Sequence, residues 1–483
     1  MNKKVINGEL TKDLSLGGAS ASDVSPQTRS FRSSGCSYRG LRRPLHEQSP
    51  WSLPFSPKVW AGLCRSRSLG LLSLPLALSS PLSAAFPSRR FATGKPDTDA
   101  RTDDKSGIRY EAFSAKNLCY TLFLLILAII AFVTPVNGAD WKQAVGERAW
   151  SFPRDHGSHP EYRTEWWYFT GNLSDKSGSR YGYQLTFFRQ GIEKTPKDPG
   201  NPWSIRDLYL AHFTITDVPG KRFRFAERIS RMGPGLAFSD TKGLDVWLLN
   251  WSTHMVKNVI HLSARQKDME INLELVPQKP LVLHGQKGLS KKGPGEGQSS
   301  YYYSFTDLRT TGTIRPPHSK QPVPVEGTSW FDQEFGSNQL SPDQAGWDWF
   351  SLHISDGRDL MIYFLRRKDG TVEQASSGTI VEKNGASRHL RLSDISVDVL
   401  GQWKSPKSGG TYPAQWRICV PSARIDLTIS PLVADQELIT GESAGITYWE
   451  GAAGGRGTSM EQSVTCEGYV ELTGYAGSIG GIF

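Results

Sequence analysis

Residues 327–336 read GTSWFDQEFG and carry two carboxylic acids two positions apart, Asp332 and Glu334, just after Trp330. On a strand such residues share one face, so the indole and both acids point one way while Phe331 and Phe335 point the other. A carboxyl walled by rings loses the water that stabilises its charge, and its pKa rises. It can then hold a proton near neutral pH and pass it to a substrate as a general acid. The competing reading is a solvated acid pair in a turn before Gly336. Five aromatic or acidic residues in the six positions from Trp330 to Phe335 favour the first reading. The sequence has no Walker loop and no dinucleotide fingerprint after a strand, which removes the common P-loop and Rossmann chemistries.

A second dense stretch, FPRDHGSHPEYRTEWWYFTGNL, spans residues 152–173. His156 and His159 stand at a metal-ligand spacing, with Asp155, Glu165 and the more distant His212 as further donors. A zinc site with helical spacing needs a helix, and Pro153 and Pro160 interrupt one here. The stretch therefore reads as a polar, hydrogen-bonded lead-in loop, with no metal, followed by a strand. The strand sets Trp166, Trp167, Tyr168 and Phe169 on alternate faces.

These side chains need a scaffold, and after residue 150 the dominant pattern is period two. YGYQLTFFR (181–189), EINLELVPQ (270–278), DLMIYFLRR (359–367) and ARIDLTISP (423–431) are examples, separated by Gly, Asp, Asn and Ser clusters. The expected class is all-β and antiparallel. An internal repeat divides it: Trp166-x-Tyr168-Phe169-x3-Leu173-Ser174-Asp175 returns as Trp347-x-Trp349-Phe350-x3-Ile354-Ser355-Asp356, 181 positions on. Each copy leads into an apolar strand ending in arginine, at Arg189 and Arg366. Leu308-x-x-Thr311-Gly312 is echoed by Val470-x-x-Thr473-Gly474. Two related units, 145–315 and 316–483, are expected, each the size of a small barrel that fills its interior with side chains or one small ligand.

Charge separates this body from what precedes it. Residues 1–118 hold 18 Lys/Arg against 9 Asp/Glu, and the rest of the chain holds 38 of each. The net charge of +9 thus resides in the N-terminal part, and the body has no field to attract nucleic acid. Residues 1–115, rich in Ser, Arg and Pro without apolar periodicity, read as a disordered basic tail. Residues 116–139 hold an apolar core of about 15 residues, the length of a signal-peptide core rather than a full span. Two readings stand: a signal peptide behind an artefactual extension, or an uncleaved anchor holding the membrane through residues 118–136. Both export the body, to the periplasm or beyond. Cys419 and Cys466 sit in strand-like runs and read either as one disulfide or as two small buried apolar residues.

DHGSHPEYRTEWWYFTGNL, WFDQEFG, GWDWFSLHISDGRDLMIYFLRR and EGYVELTGY, in this order, resemble the AttH-like exported proteins. These are often called predicted secreted hydrolases and are related to the carotenoid 1,2-hydratases (hydroxyneurosporene synthases). The resemblance covers about residues 145–480 and implies two tandem lipocalin-like barrels. The hydratases add water across an isoprenoid double bond without a cofactor. Their working residues include an Asp two positions after a Tyr, and an upstream His-x-Trp. Asp332 matches the Asp, Trp330 replaces the Tyr, and Tyr303-x-Phe305 stands for His-x-Trp, so the histidine is missing. The expectation is acid-assisted water addition or hydrolysis on an apolar terpenoid or lipid-like molecule. Asp332 would be the acid, with Trp330, Glu334, Tyr303, Phe305, Trp166, Tyr168, Trp347 and Trp349 lining the site. A non-catalytic carrier of a hydrophobic ligand is the alternative.

Overall fold

The computed structural model describes residues 141–479, apart from 196, 197, 199, 202 and 203. The expected tail (1–115) and apolar segment (116–139) lie outside the described residues.

Alternation becomes strand wherever it was expected. Among the described residues there are two antiparallel sheets, of 13 and 10 strands, each curled into a near-barrel. In the first, the leading strand Thr164–Asp175 lies between Arg180–Gly191 and Val323–Gly336, with Ser299–Arg315 next. In the second, the leading strand Gln344–Ile354 lies between Asp359–Arg367 and Gln462–Leu472, with Ile446–Ser459 beyond. The strand that carries Asp332 therefore closes the first sheet. The first sheet thus extends to Gly336.

The repeated motif opens each sheet, and its arginines do equivalent work. Arg189 binds Glu165 of its own leading strand at 3.2 Å, and Arg366 binds Asp348 of its own at 2.8 Å. The second echo is not equivalent. Leu308 lies on a strand one removed from the leading strand, whereas Val470 lies directly beside it.

Alternate residues of each sheet fill its interior. Trp167, Phe169, Leu185, Phe213 and Phe331 belong to the first core, and Phe350, Trp416, Leu427, Trp449 and Val470 to the second. The other faces of these strands are not in water. Tyr168, Tyr302, Trp330, Trp349, Tyr363 and Tyr469 form a third buried cluster where the two sheets meet back to back. Polar contacts pin this seam, among them Asn172 Nδ2 to the Gly468 carbonyl at 3.1 Å and Thr216 Oγ1 to Gln436 Oε1 at 2.7 Å. Closure is tight at Gly182, where an added Cβ would stand 2.6 Å from the Tyr469 hydroxyl and 2.7 Å from the Ala452 Cβ. Cys419 and Cys466 are both buried and are not joined in a disulfide, and burial pushes the Cys466 thiol up to about 12.

Gly182→Val wedges this seam. The expected cost is about 1–3 kcal/mol, the usual penalty for overpacking, read from urea denaturation. An unchanged midpoint would mean that the faces are not held this closely in solution.

Candidate active site

The seam holds a partly open cavity of about 110 Å³. Trp166 and Tyr168 of the first leading strand face Trp347 and Trp349 of the second across it, with Tyr302, Asp332, Glu334, Glu450 and Glu471 completing its polar wall. The acid was expected inside a barrel. Strand parity instead sends Trp330, Asp332 and Glu334 outward, where the second sheet covers them, because Phe331 already occupies the first interior.

Asp332 is 3% exposed and receives three donors. Trp330 Nε1 and Ser304 Oγ donate to Oδ1, the former at 2.6 Å, and the Tyr302 hydroxyl donates to Oδ2 at 2.6 Å. Donors favour the charged form, but removal from water outweighs them, aided by the neighbouring charge of Glu334. The carboxyl is pushed up to about 7. Glu334 is handled differently: Ser300 donates to it and Lys292 Nζ stands 2.9 Å away. That ion pair overcomes the burial that would lower the Lys292 pKa, and raises it. Two acids on one strand face thus meet opposite environments, one of them proton-bearing and the other salt-bridged.

A second acid pair stands on the other side. Glu450 and Glu471 are cross-strand neighbours, and burial drives both upward. Trp347 Nε1 donates to Glu471 Oε2 at 2.8 Å. Gln339 Nε2 is buried without a hydrogen-bond partner among the described residues, the Tyr168 hydroxyl faces Glu450, and all three residues line the cavity. A buried donor without a partner is ordinarily completed by water or a ligand. Chemically, the cavity offers protonated carboxyls at two walls, aromatic faces between them, and donors and acceptors for a polar substituent.

The family profile described as AttH-like matches residues 143–475. The chain belongs to the AttH-like family. A solved AttH structure from Nitrosomonas europaea is 33% identical with a TM-score of 0.61, covering 69% of this chain and 99% of that one. Kievitone hydratase from Nectria haematococca shares the fold at 16% identity and a TM-score of 0.53, covering 70% of this chain and 97% of its own. None of the curated proteins matches the sequence.

In this AttH-like chain the cavity gathers Asp332, Glu334, Trp166, Tyr168, Trp347 and Trp349, while Trp330 packs behind Asp332 as its hydrogen-bond donor. Tyr303 and Phe305 are not among them. Both point into the first barrel, where the Tyr303 hydroxyl meets Gln333 Oε1 at 2.6 Å and His156 Nδ1 at 2.7 Å. Their neighbours Tyr302 and Ser304 take the places beside Asp332. The lead-in stretch is tied up in the same interior. His159 lies between Glu165 at 2.7 Å and Asp155 at 3.2 Å, and burial holds the His156 imidazole down at about 4. His212 stands apart from these donors on the cavity wall, bonded to the Tyr448 hydroxyl at 2.7 Å. Among the described residues no group of three or more His, Cys, Asp or Glu side chains is placed to hold a metal.

Lys292, Glu450 and Glu471 escaped the sequence reading. Glu471 lies inside the closing EGYVELTGY motif, and its parity opposite Val470 marks it as facing away from the second core.

The raised pKa of Asp332 fixes a stability dependence. The folded state retains the proton longer than the unfolded chain, so stability is greatest below the ordinary value of 3.8 and falls as pH climbs to about 7. Asp332→Asn should remove up to about 1.4 kcal/mol per pH unit of that decline, seen by comparing urea midpoints across the window. Parallel profiles would place Asp332 in water.

Proposed function

We propose that this protein adds water to a carbon–carbon double bond of an apolar, terpenoid- or lipid-like ligand held in the seam. The observation that carries this reading is Asp332, a carboxyl protonated up to about pH 7 on the wall of a ring-lined cavity. Protonation of an alkene leaves a carbocation, and the faces of Trp166, Trp347 and Trp349 are the groups placed to stabilise it. Water then attacks the cation and gives up a proton, for which Glu471, the more readily ionised member of the Glu450–Glu471 pair at about 7, is the acceptor. The relationship to hydratases, by family resemblance and by the fold shared with kievitone hydratase, supports the same chemistry.

The cavity is smaller than the roughly 150 Å³ engineered void that takes benzene. At about 110 Å³ it suits the reacting end of a longer molecule better than a whole terpenoid. The unpartnered amide of Gln339 and the polar ends of Tyr168 and Glu450 suit a hydroxyl or carbonyl near that end.

Turnover of isoprenoid and phenolic alkenes by wild type and Asp332→Asn tests the proposal, with mass spectrometry of what each retains. The variant should lose about a hundredfold or more of the rate, the usual contribution of a general acid, while still binding substrate. Wild-type activity should fall as pH rises past about 7, where Asp332 gives up its proton. Ligand retained by both proteins with no turnover by either would favour the carrier. Export through residues 116–139 belongs to the same proposal, and N-terminal sequencing of the native protein should find a start near residue 140.

A further inference from the structure

Behind Asp332, on the side away from the cavity, a line of hydrogen bonds runs from the first sheet to the second. Ser304 Oγ donates to Asp332 Oδ1. His284 Nε2 lies 2.6 Å from the same Ser304 oxygen, and His284 Nδ1 lies 2.9 Å from Thr379 Oγ1. Ser304, His284 and Thr379 are all at most 2% exposed, and none lines the cavity. Thr379 is the cross-strand partner of His389, an exposed residue whose charge is felt by His284.

Proton counting gives this line two consistent settings. Trp330 N–H can only donate, so it always points at Oδ1. With Asp332 ionised, Ser304 donates to it, the Nε2–H of His284 donates to Ser304, and Nδ1 accepts from Thr379. With the proton on Oδ1, Ser304 becomes the acceptor and turns its own hydrogen toward Nε2, and Nδ1–H faces Thr379. Each member keeps a partner in both settings. Burial holds His284 down at about 3, so the ring changes tautomer rather than charge.

We propose that Ser304, His284 and Thr379 form a proton path that joins Asp332 to solvent at the outer face of the second sheet. The path rests on the reading of Asp332 as the proton donor. It loads the acid from behind, where a bound apolar ligand does not block it. In one loading event the Ser304 proton moves to Oδ1 and the Nε2 proton moves to Ser304. The Thr379 proton moves to Nδ1, and Thr379 takes one from solvent beside His389. One proton enters and one arrives. Unloading runs the same steps backwards. The charged groups facing the two ends are Glu334, Lys292 and Glu471 around Asp332, and Lys292 and His389 around His284. None of them interrupts the line.

The test is pH-jump infrared spectroscopy of protein labelled with 13C-aspartate. The carboxyl band of Asp332 is assigned by its loss in Asp332→Asn. Thr379→Val keeps the shape of the side chain and removes the hydroxyl, and Thr379→Ser restores the hydroxyl. Protonation of Asp332 should be at least tenfold slower in Thr379→Val and near the wild-type rate in Thr379→Ser. Ser304→Ala should slow it as well. A band that titrates in every protein at one common rate overturns the path and leaves the acid in place. If no aspartate band titrates near neutral pH, the catalytic reading itself falls.

Discussion

The mating of two outer sheet faces is the interaction on which the site depends. Each sheet fills its own interior with alternate residues, and an isolated sheet of this kind would present its other face to water. Here that face is apolar and aromatic in both halves, and each half covers the other. Water is expelled from a place where carboxyls stand, and no cation is bonded to Asp332 to replace it. The raised pKa follows chiefly from that exclusion, with the charge of Glu334 adding to it, against three donors that pull the other way. Lys292 could have cancelled the effect, but it is committed to Glu334.

The interior of the first barrel shows what a charge-paired polar cluster looks like in the same molecule. Arg189 is nearly inaccessible, yet it reaches Glu165, Asp207 at 2.9 Å and two backbone carbonyls. Asp155 keeps its carboxyl well below the usual range despite burial, through His159, the Ser151 amide, Arg148 and Arg154. Such a network rigidifies the barrel end and leaves no group free to react. The seam has the opposite character: Asp332, Glu450 and Glu471 are buried and pushed upward, and the Gln339 amide nitrogen lacks a partner among the described residues. This contrast separates the structural cluster from the chemical one.

Fold class, the repeat and the Trp330–Asp332–Glu334 face were legible because GTSWFDQEFG alternates cleanly and one phase suffices to orient it. SSYYYSFTDL was not, since every residue from Ser299 to Thr306 is buried and rings occupy both phases. With both faces covered, alternation carries no sign of inside or outside, and matching the family's His-x-Trp to Tyr303-x-Phe305 took the wrong phase over Tyr302 and Ser304. A bulge between Phe305 and Leu308 removes the remaining register cue. The same feature held the clue to the seam. Adjacent rings in TEWWYF, SYYYSF and GWDWF imply two covered faces, where one covered face is what a free-standing barrel provides. His284, remote in sequence from every dense motif, had no local signal at all.

The repeat has a consequence for stereochemical control. Trp166 and Trp347 are equivalent positions of the two copies, as are Tyr168 and Trp349, and all four rings face the same cavity. An extended hydrocarbon turned end for end would meet nearly the same surface twice, so its fit to the rings says little about which carbon reacts. Regiochemistry must then be set by what duplication did not preserve: the lone Asp332 from one copy, and the Glu450–Glu471 couple from the other.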